Sequence, residues 1–418
     1  MSRFTHLSQN PGMTNWSDES DQQIWFDQFK SADAGGMRFN KFQDFLDATI
    51  YQYIGIAPVG TPDGEKNSSK FTHQQEMQLF KTFDTKNDHA LDFDEFSNMC
   101  HKWLDKVYKP NSALVIVDVQ NDFIDGSLAL VNGPARQDGA EVVPIINDLL
   151  EANLFKTVIY TQDWHPADHI GFHSNLYLRR YRLKNAANQI ADKFETNGSS
   201  PKGDQSNGDG NAQMAAASAT NGPLKYKKLN SEVKVFDTVI FDDGQTEQKM
   251  WPTHCVQNSW GAQLHHKLRV VKDAIYIQKG ASSNVDAYSA FWDNKRLNET
   301  GLRQELLSRK ISDLYFCGLA LDYCVAASAM DSATAGFVTY VVEDACRCID
   351  LDEMERRKMD MIEHGIVIVN CEEVSRFMGR HGSVNNLHDV SADNDGLAIK
   401  GALDRDTIKS ICFRRAFL

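Results

Sequence analysis

The sequence predicts an α/β protein: a doubly wound, mostly parallel sheet with a smaller helical region ahead of it. Three observations predict this. From Asn111 onward, short apolar runs alternate with helix-spaced segments, the order expected of strands joined by crossover helices. The first run, Ala113-Leu114-Val115-Ile116-Val117, is apolar without interruption, as a strand buried on both faces is. Before about Pro110 the apolar residues recur at helical spacing instead.

In chain order, Ile24, Trp25, Phe26 and Phe29 and then Phe42, Phe45, Leu46 and Ile50 make one helical pair. Phe80 and Phe83, followed by Phe96, Met99, Cys100, Trp103, Leu104 and Val107, make a second. The stretch between them, Asp84 to Glu95, resembles an EF-hand calcium loop. Asp84, Asp88, Asp92 and the closing Glu95 stand at loop positions 1, 5, 9 and 12, and Leu91 fills the apolar eighth position. The loop departs from the pattern at Lys86, where an oxygen ligand belongs, and at His89, where the pattern has glycine. Weak Ca²⁺ binding or none is expected, and the bland alternative is a helical docking module without metal. The stretch Asp33 to Phe39 lacks acidic ligands and reads as a degenerate hand.

Beyond Asn111, further strands are expected at Thr157–Thr161, Ala274–Ile277, Leu314–Phe316, Phe337–Val342 and Ile366–Val369. Helices are expected over Val142–Leu150 and near 301–310, 323–335, 351–363 and 372–379. Residues 183–232, rich in Asn, Gly, Ala and Ser, cannot build a core and read as a flexible insertion. The expected organisation is a helical domain at 1–110, a catalytic domain at 111–380 carrying that insertion, and a tail at 381–418. Within the tail, Ile408, Ile411, Cys412, Phe413 and Phe417 could dock on an unidentified surface.

A formal charge of −13 argues against nucleic acid or an anionic membrane as the main partner. No run of about 18 apolar residues is present to span a bilayer, and the N-terminus lacks an apolar signal core. The 8 cysteines have no disulfide-scaffold rhythm, which fits a cytoplasmic, reducing setting. The 42% hydrophobic content suffices for a real core.

In an open parallel sheet, functional groups collect at the carboxyl ends of the strands. Asp118, Lys279 and Cys324 are all expected there. Cys324 follows the strand–Gly–helix stretch Leu314 to Val325. At a helix start, unpaired N–H groups and the dipole favour thiolate, so its pKa is expected to fall below about 8.5. Taken singly, Cys324 could be a small buried hydrophobe, Asp118 a strand-end cap and Lys279 a solvated charge. Together they offer a nucleophile, a base and a cation, with backbone N–H groups for an oxyanion hole. A second cluster has metal spacing: Asp163 and His165 share a side by the two-residue period, His254 is the natural third ligand and His169 a candidate fourth. The bland reading of Asp-x-His is a satisfied polar turn.

Five stretches in order carry a wider resemblance. They are Val115 to Phe123, Gln162-Asp163-Trp164-His165-Pro166, Trp251-Pro252-Thr253-His254-Cys255-Val256, Gln278-Lys279-Gly280 and Gly318 to Val325. Residues of about 112–380 thereby resemble the isochorismatase-like cysteine hydrolase superfamily, and within it the nicotinamidases. The resemblance implies an Asp118–Lys279–Cys324 triad and Zn²⁺, or another divalent transition metal, held by Asp163, His165 and His254. It implies Phe123, Trp251 and Tyr288 around the ring of nicotinamide, and a cis peptide before Ala320 whose N–H, with that of Cys324, faces the oxyanion. The implied reaction converts nicotinamide to nicotinic acid and ammonia through a thioester, in NAD salvage. A homo-oligomer is compatible with it. The alternatives are a related amidohydrolase on another small amide, and a calcium-binding interaction protein with an inactive hydrolase domain.

Overall fold

The computed structural model describes residues 14–32, 35–51, 70–183, 233–242, 246–380 and 405–417. The polar insertion, from residue 184 to 232, lies outside the described residues, as do Asp33, Ala34 and the tail stretch 381–404. Two compact units are present: Met1–Ala167 with His254–Leu418, and Asp168–Thr253. Among the described residues the strands run β1 (Met37–Arg38), β2 (Ala90–Leu91), β3 (Ser112–Val117), β4 (Thr157–Asp163), β5 (Tyr181–Leu183), β6 (Thr238–Phe241), β7 (Glu247–Lys249), β8 (Ile275–Lys279), β9 (Asp313–Leu319), β10 (Val338–Arg347) and β11 (Val367–Val369).

The N-terminal helices form two helix–loop–helix hairpins over an aromatic core of Trp16, Trp25, Phe42, Phe45, Phe96 and Trp103, all buried. Capping sets their starts. Asp18 accepts from Ser20 and Asp21 N–H ahead of helix Glu19–Phe29, and Thr72 and Gln75 make a reciprocal capping box on His73–Phe83. The two loops meet through β1 and β2, antiparallel, with Met37 opposite Leu91.

Within the 84–95 loop the acidic groups are engaged by the chain itself. Asp84 accepts from Asp88 N–H at 3.2 Å and His89 N–H at 3.1 Å. Glu95 accepts from Thr85 Oγ1 and Lys86 N–H, both at 2.9 Å. Asp92 caps helix Phe93–Met99, accepting from Glu95 N–H at 3.0 Å, and pairs with the Lys86 ammonium. Asp84, Asp88 and Glu95 still offer oxygens within 4.8 Å of one another, a group that leaves out Asp92. His89 adopts φ +67°, so the left-handed turn forms without the expected glycine.

The central sheet is six-stranded and parallel throughout, in the order β11-β10-β9-β3-β4-β8. Every residue of β3 and β9 is buried, as central strands covered on both faces require. From β3 the chain moves outward one way through β4 to β8, then returns to the other side of β3 at β9. This reversal between β3 and β9 opens a crevice at their carboxyl ends. The strand expected at Phe337–Val342 runs on to Arg347 past a register shift between Val341 and Cys346. Extending the expected Ala274–Ile277 strand to Lys279 puts that lysine inside β8, level with Asp163.

The C-terminal helix, Arg405–Arg415, has a definite seat. Cys412 and Ala416 join the N-terminal aromatic core, and Cys412 C=O accepts from Trp103 Nε1 at 2.8 Å. Arg415 donates to Val107 C=O at 3.1 Å and forms a buried ion pair with Asp313, the first residue of β9.

The second unit contains the antiparallel sheet β5-β6-β7. Its core holds Ile170, Leu176, Val233, Val239, Phe241 and Met250.

Candidate active site

The parallel sheet brings Asp118, Lys279 and Cys324 to one point. Asp118 follows β3 with φ +49°, a left-handed conformation that turns its carboxylate off the strand line. Thr161 on the adjacent β4 holds it there, its hydroxyl donating to Asp118 Oδ1 at 2.5 Å and accepting from Asp118 N–H at 3.2 Å. Lys279 ends β8 with its side chain fully buried. Its ammonium lies 2.9 Å from Asp118 Oδ2, 3.3 Å from Cys324 Sγ and 3.1 Å from Ala287 C=O, and it pairs with Asp163 Oδ1. Cys324 sits in the wide helical turn Leu321–Val325, between β9 and helix Ala326–Thr334. Its sulfur and carboxylate oxygens of Asp118 and Asp163 lie within 4.8 Å of one another.

Burial sets the protonation of this cluster. It pushes Asp118 up, against the pull of Lys279. It opposes the charge on Lys279, but Asp118 and Asp163 outweigh it and hold that pKa well above the ordinary lysine value. The thiol of Cys324 is pushed well up by burial, with Lys279 pulling down and Asp118 and Asp163 pushing further up. This reverses the expectation of a lowered cysteine pKa. The helix start is a fractional charge in the open; here the thiol is desolvated beside two carboxylates. Burial thus raises the proton affinity of both the Cys324 thiol and the Asp118 carboxylate beside it.

Asp163 divides its two oxygens. Oδ1 faces Lys279, while Oδ2 lies 3.5 Å from His165 Nε2 and 3.7 Å from His254 Nε2. Donors 2.0–2.1 Å from a shared tetrahedral metal stand about 3.4 Å apart, so this set fits a small divalent cation. The His165 tautomer fits too: Nδ1 is engaged by Gly280 C=O at 2.9 Å, which leaves Nε2 to ligate. Gly280 has φ +69°, and any Cβ there would strike the His165 ring. Burial opposes ionisation of Asp163, but Lys279 and the two histidines keep its pKa well below the usual carboxylate range. A dry, anionic carboxylate with two imidazoles is a borderline-soft donor set suited to zinc or a similar transition metal.

Comparison with known proteins gives the family. The Isochorismatase domain family matches residues 206–373. The nicotinamidase of Acinetobacter baylyi is 31% identical over 265 residues, 63% of this chain and 94% of that protein. The chain belongs to the nicotinamidase family. The nicotinamidase of Escherichia coli is also 31% identical, over 59% of this chain and 87% of its own. A solved nicotinamidase/pyrazinamidase of Acinetobacter baumanii is 31% identical, with a TM-score of 0.47 over 64% of this chain and 99% of its own. Membership in this family, within the isochorismatase superfamily, makes the protein a hydrolase acting on an amide.

Other residues that the nicotinamidase resemblance singled out fall as follows. Phe123 packs its ring 5.5 Å from that of His254. Tyr288 meets Tyr323, the neighbour of Cys324, edge to face at 5.6 Å. The Leu319–Ala320 peptide is cis, and Ala320 C=O accepts from Tyr323 and Val325 N–H, both at 3.1 Å. Trp251 and His169 belong to the second unit. There Trp251 N–H donates to Gly171 C=O at 2.8 Å, and His169 Nδ1 accepts from Gly171 N–H at 3.2 Å.

Reading the sequence missed two braces of this site. One is Thr161, described above. The other is Gln120, whose Nε2 donates to Asp163 C=O and whose Oε1 accepts from Asp163 N–H, each at 2.9 Å. Gln120 lies inside a quoted motif, but its partner is 43 positions away and reaches it only through the β3–β4 pairing.

Proposed function

We propose that this protein hydrolyses nicotinamide to nicotinic acid and ammonia, in NAD salvage, through a thioester on Cys324. The observation that carries this is the buried contact of Lys279 with both Asp118 and Cys324, at 2.9 and 3.3 Å, beside a three-donor set on the same carboxylate layer. A divalent metal on Asp163, His165 and His254 would supply a Lewis-acid anchor for the pyridine nitrogen. Phe123 and Tyr288 would border the ring and exclude water.

Asp118 takes the proton from Cys324 as the sulfur attacks the carboxamide carbon. The N–H groups of Ala320 and Cys324 receive the developing oxyanion. The carbon–nitrogen bond then breaks, and the Asp118 proton leaves with ammonia. Asp118 next takes a proton from water as its oxygen attacks the thioester. Nicotinic acid departs and the thiol is restored. Lys279 stays charged throughout and keeps Asp118 in place.

Ammonia release from nicotinamide, with benzamide as control, tests the proposal. Cys324→Ala is expected to lower turnover on the order of 10⁴-fold or more with an unchanged circular dichroism spectrum; near-wild-type turnover would remove the triad. Equal turnover of benzamide would favour the second reading, an amidohydrolase that does not use a ring nitrogen. We infer further that the N-terminal hairpins are EF-hand-like in form, with the Lys86 ammonium supplying positive charge beside Asp92. Added Ca²⁺ is therefore expected to leave the same assay unchanged, and strong activation would contradict this. The eight cysteines are free, which supports a reducing, cytoplasmic setting.

A further inference from the structure

We propose that Asp122 is a positioning residue for the metal site: its carboxylate fixes the backbone that aims His254. The inference rests on the Asp163–His165–His254 reading and extends it to a residue outside that set.

The three candidate ligands are not equally supported. Asp163 is part of β4 and is braced by Gln120. His165 follows two residues later and has Gly280 on its ring. His254 lies on an irregular loop, outside any strand or helix. Its successor, Cys255, has φ +46°, a conformation that a residue with a Cβ adopts only when its surroundings impose it.

Asp122 supplies the imposing contact. Its Oδ2 accepts from Cys255 N–H at 2.7 Å, and its Oδ1 accepts from Ser127 N–H at 3.1 Å. Its own backbone is pinned on both sides, N–H to Gly261 C=O at 3.1 Å and C=O from Leu128 N–H at 3.0 Å. The carboxylate also lies close against two glycines. A Cβ on Gly126 or Gly261 would collide with it. The helical turn Asn121–Ile124 is thus clamped to the 254–261 loop through the side chain and backbone N–H of Asp122. Beyond the clamp, Cys255 C=O accepts from His165 N–H at 3.0 Å, which ties the second histidine to the same peptide.

The chemistry calls for a carboxylate at this point. Two backbone N–H donors face two acceptor oxygens. Asparagine keeps one acceptor and turns an NH₂ group on the other donor; alanine keeps neither. Charge-assisted bonds to backbone N–H groups are also the stronger kind. Groups that hold a ligand's backbone or ring typically govern about 10–100-fold in metal affinity.

The test is a zinc titration of the metal-stripped full-length protein against a chromophoric chelator, for wild type, Asp122→Ala, Asp122→Asn, His254→Ala and the Asp122→Ala/His254→Ala double variant. Asp122→Ala is expected to weaken zinc binding about 10–100-fold and Asp122→Asn less, with far-ultraviolet circular dichroism unchanged. The double variant is expected to lose far less relative to His254→Ala than Asp122→Ala loses relative to wild type, because the aim of an absent imidazole has no effect and only the Cys255–His165 contact is left to loosen. If Asp122→Ala does not fold, Asp122→Asn carries the same comparison. Wild-type affinity in both Asp122 variants while His254→Ala is impaired would overturn this inference and leave the metal site standing. A further loss in the double variant as large as that of Asp122→Ala against wild type would overturn it as well, by revealing general loosening. Unchanged binding in His254→Ala would remove the metal-site reading itself.

Discussion

Lys279 is a buried ammonium between two carboxylates, and its charge offsets part of the cost of burying them in ionised form. A buried ion costs several kcal/mol unless it is paired and hydrogen-bonded. Asp118, Asp163 and Ala287 C=O provide that pairing. Removing the cation would leave two anions within 4.8 Å of each other. Lys279→Met is therefore expected to destabilise the fold by about 3–5 kcal/mol at neutral pH. The loss should shrink in acid, where Asp118 and Asp163 take up protons instead. Urea unfolding at two pH values measures this; a loss below about 1 kcal/mol, in the range of an exposed ion pair, would show that the carboxylates do not depend on Lys279. Burial beside those two carboxylates, against the pull of Lys279, explains why the expectation of a lowered pKa failed at Cys324. Helix position is visible in the chain, but the desolvation and the two carboxylates that oppose it come from β3 and β4.

At the scale of the element, the turn Leu321–Val325 is tied down by a second buried acid. Asp322 accepts from Ile349 N–H at 3.1 Å and Asp350 N–H at 2.9 Å, joining the turn that carries Cys324 to the start of helix Leu351–Glu363. Burial pushes its carboxyl from 3.8 up to about 6, against the lowering effect of those two N–H groups. The folded state thus binds this proton more tightly than the unfolded state does. The associated stability is complete below about pH 4 and is lost as pH rises through 6. Two pH units at about 1.4 kcal/mol each amount to roughly 3 kcal/mol. The stability advantage of wild type over Asp322→Asn is expected to fall by about that much between pH 4 and pH 7, followed by thermal or urea unfolding. A difference that does not change with pH would remove the assignment.

At the scale of the whole molecule, the C-terminal helix links elements that are distant in sequence. Arg415 reaches Val107 C=O from one side and Asp313 from the other, so one side chain spans the N-terminal core and the head of β9. Asp313 is buried, and Ser312 Oγ donates to its Oδ1 at 2.8 Å. Breaking a buried pair by removing one member typically costs about 3–5 kcal/mol. Arg415→Ala is expected to lower stability by that order, and a double-mutant cycle with Asp313→Ala is expected to show strong coupling. Additive effects of the two changes would exclude a shared ion pair. No helix among the described residues is long and apolar enough to cross a membrane.

The chain by itself determined what periodicity and local chemistry can encode. The apolar run at Ala113–Val117, the alternation after it and the helical spacing before it led to a parallel sheet with helices, because burial pattern follows the period of the backbone. The motifs around Asp118, Asp163, Lys279 and Cys324 were also legible, since each sits at a strand end where a local pattern changes. Tertiary structure alone decided which groups meet. Thr161, Gln120 and Asp122 act on partners brought near by strand pairing or loop packing, and the seat of the Arg405–Arg415 helix depends on a core built some 300 positions earlier. Proton affinities belong to the same class: desolvation and Coulomb interaction depend on distance through space, which the order of residues along the chain does not contain.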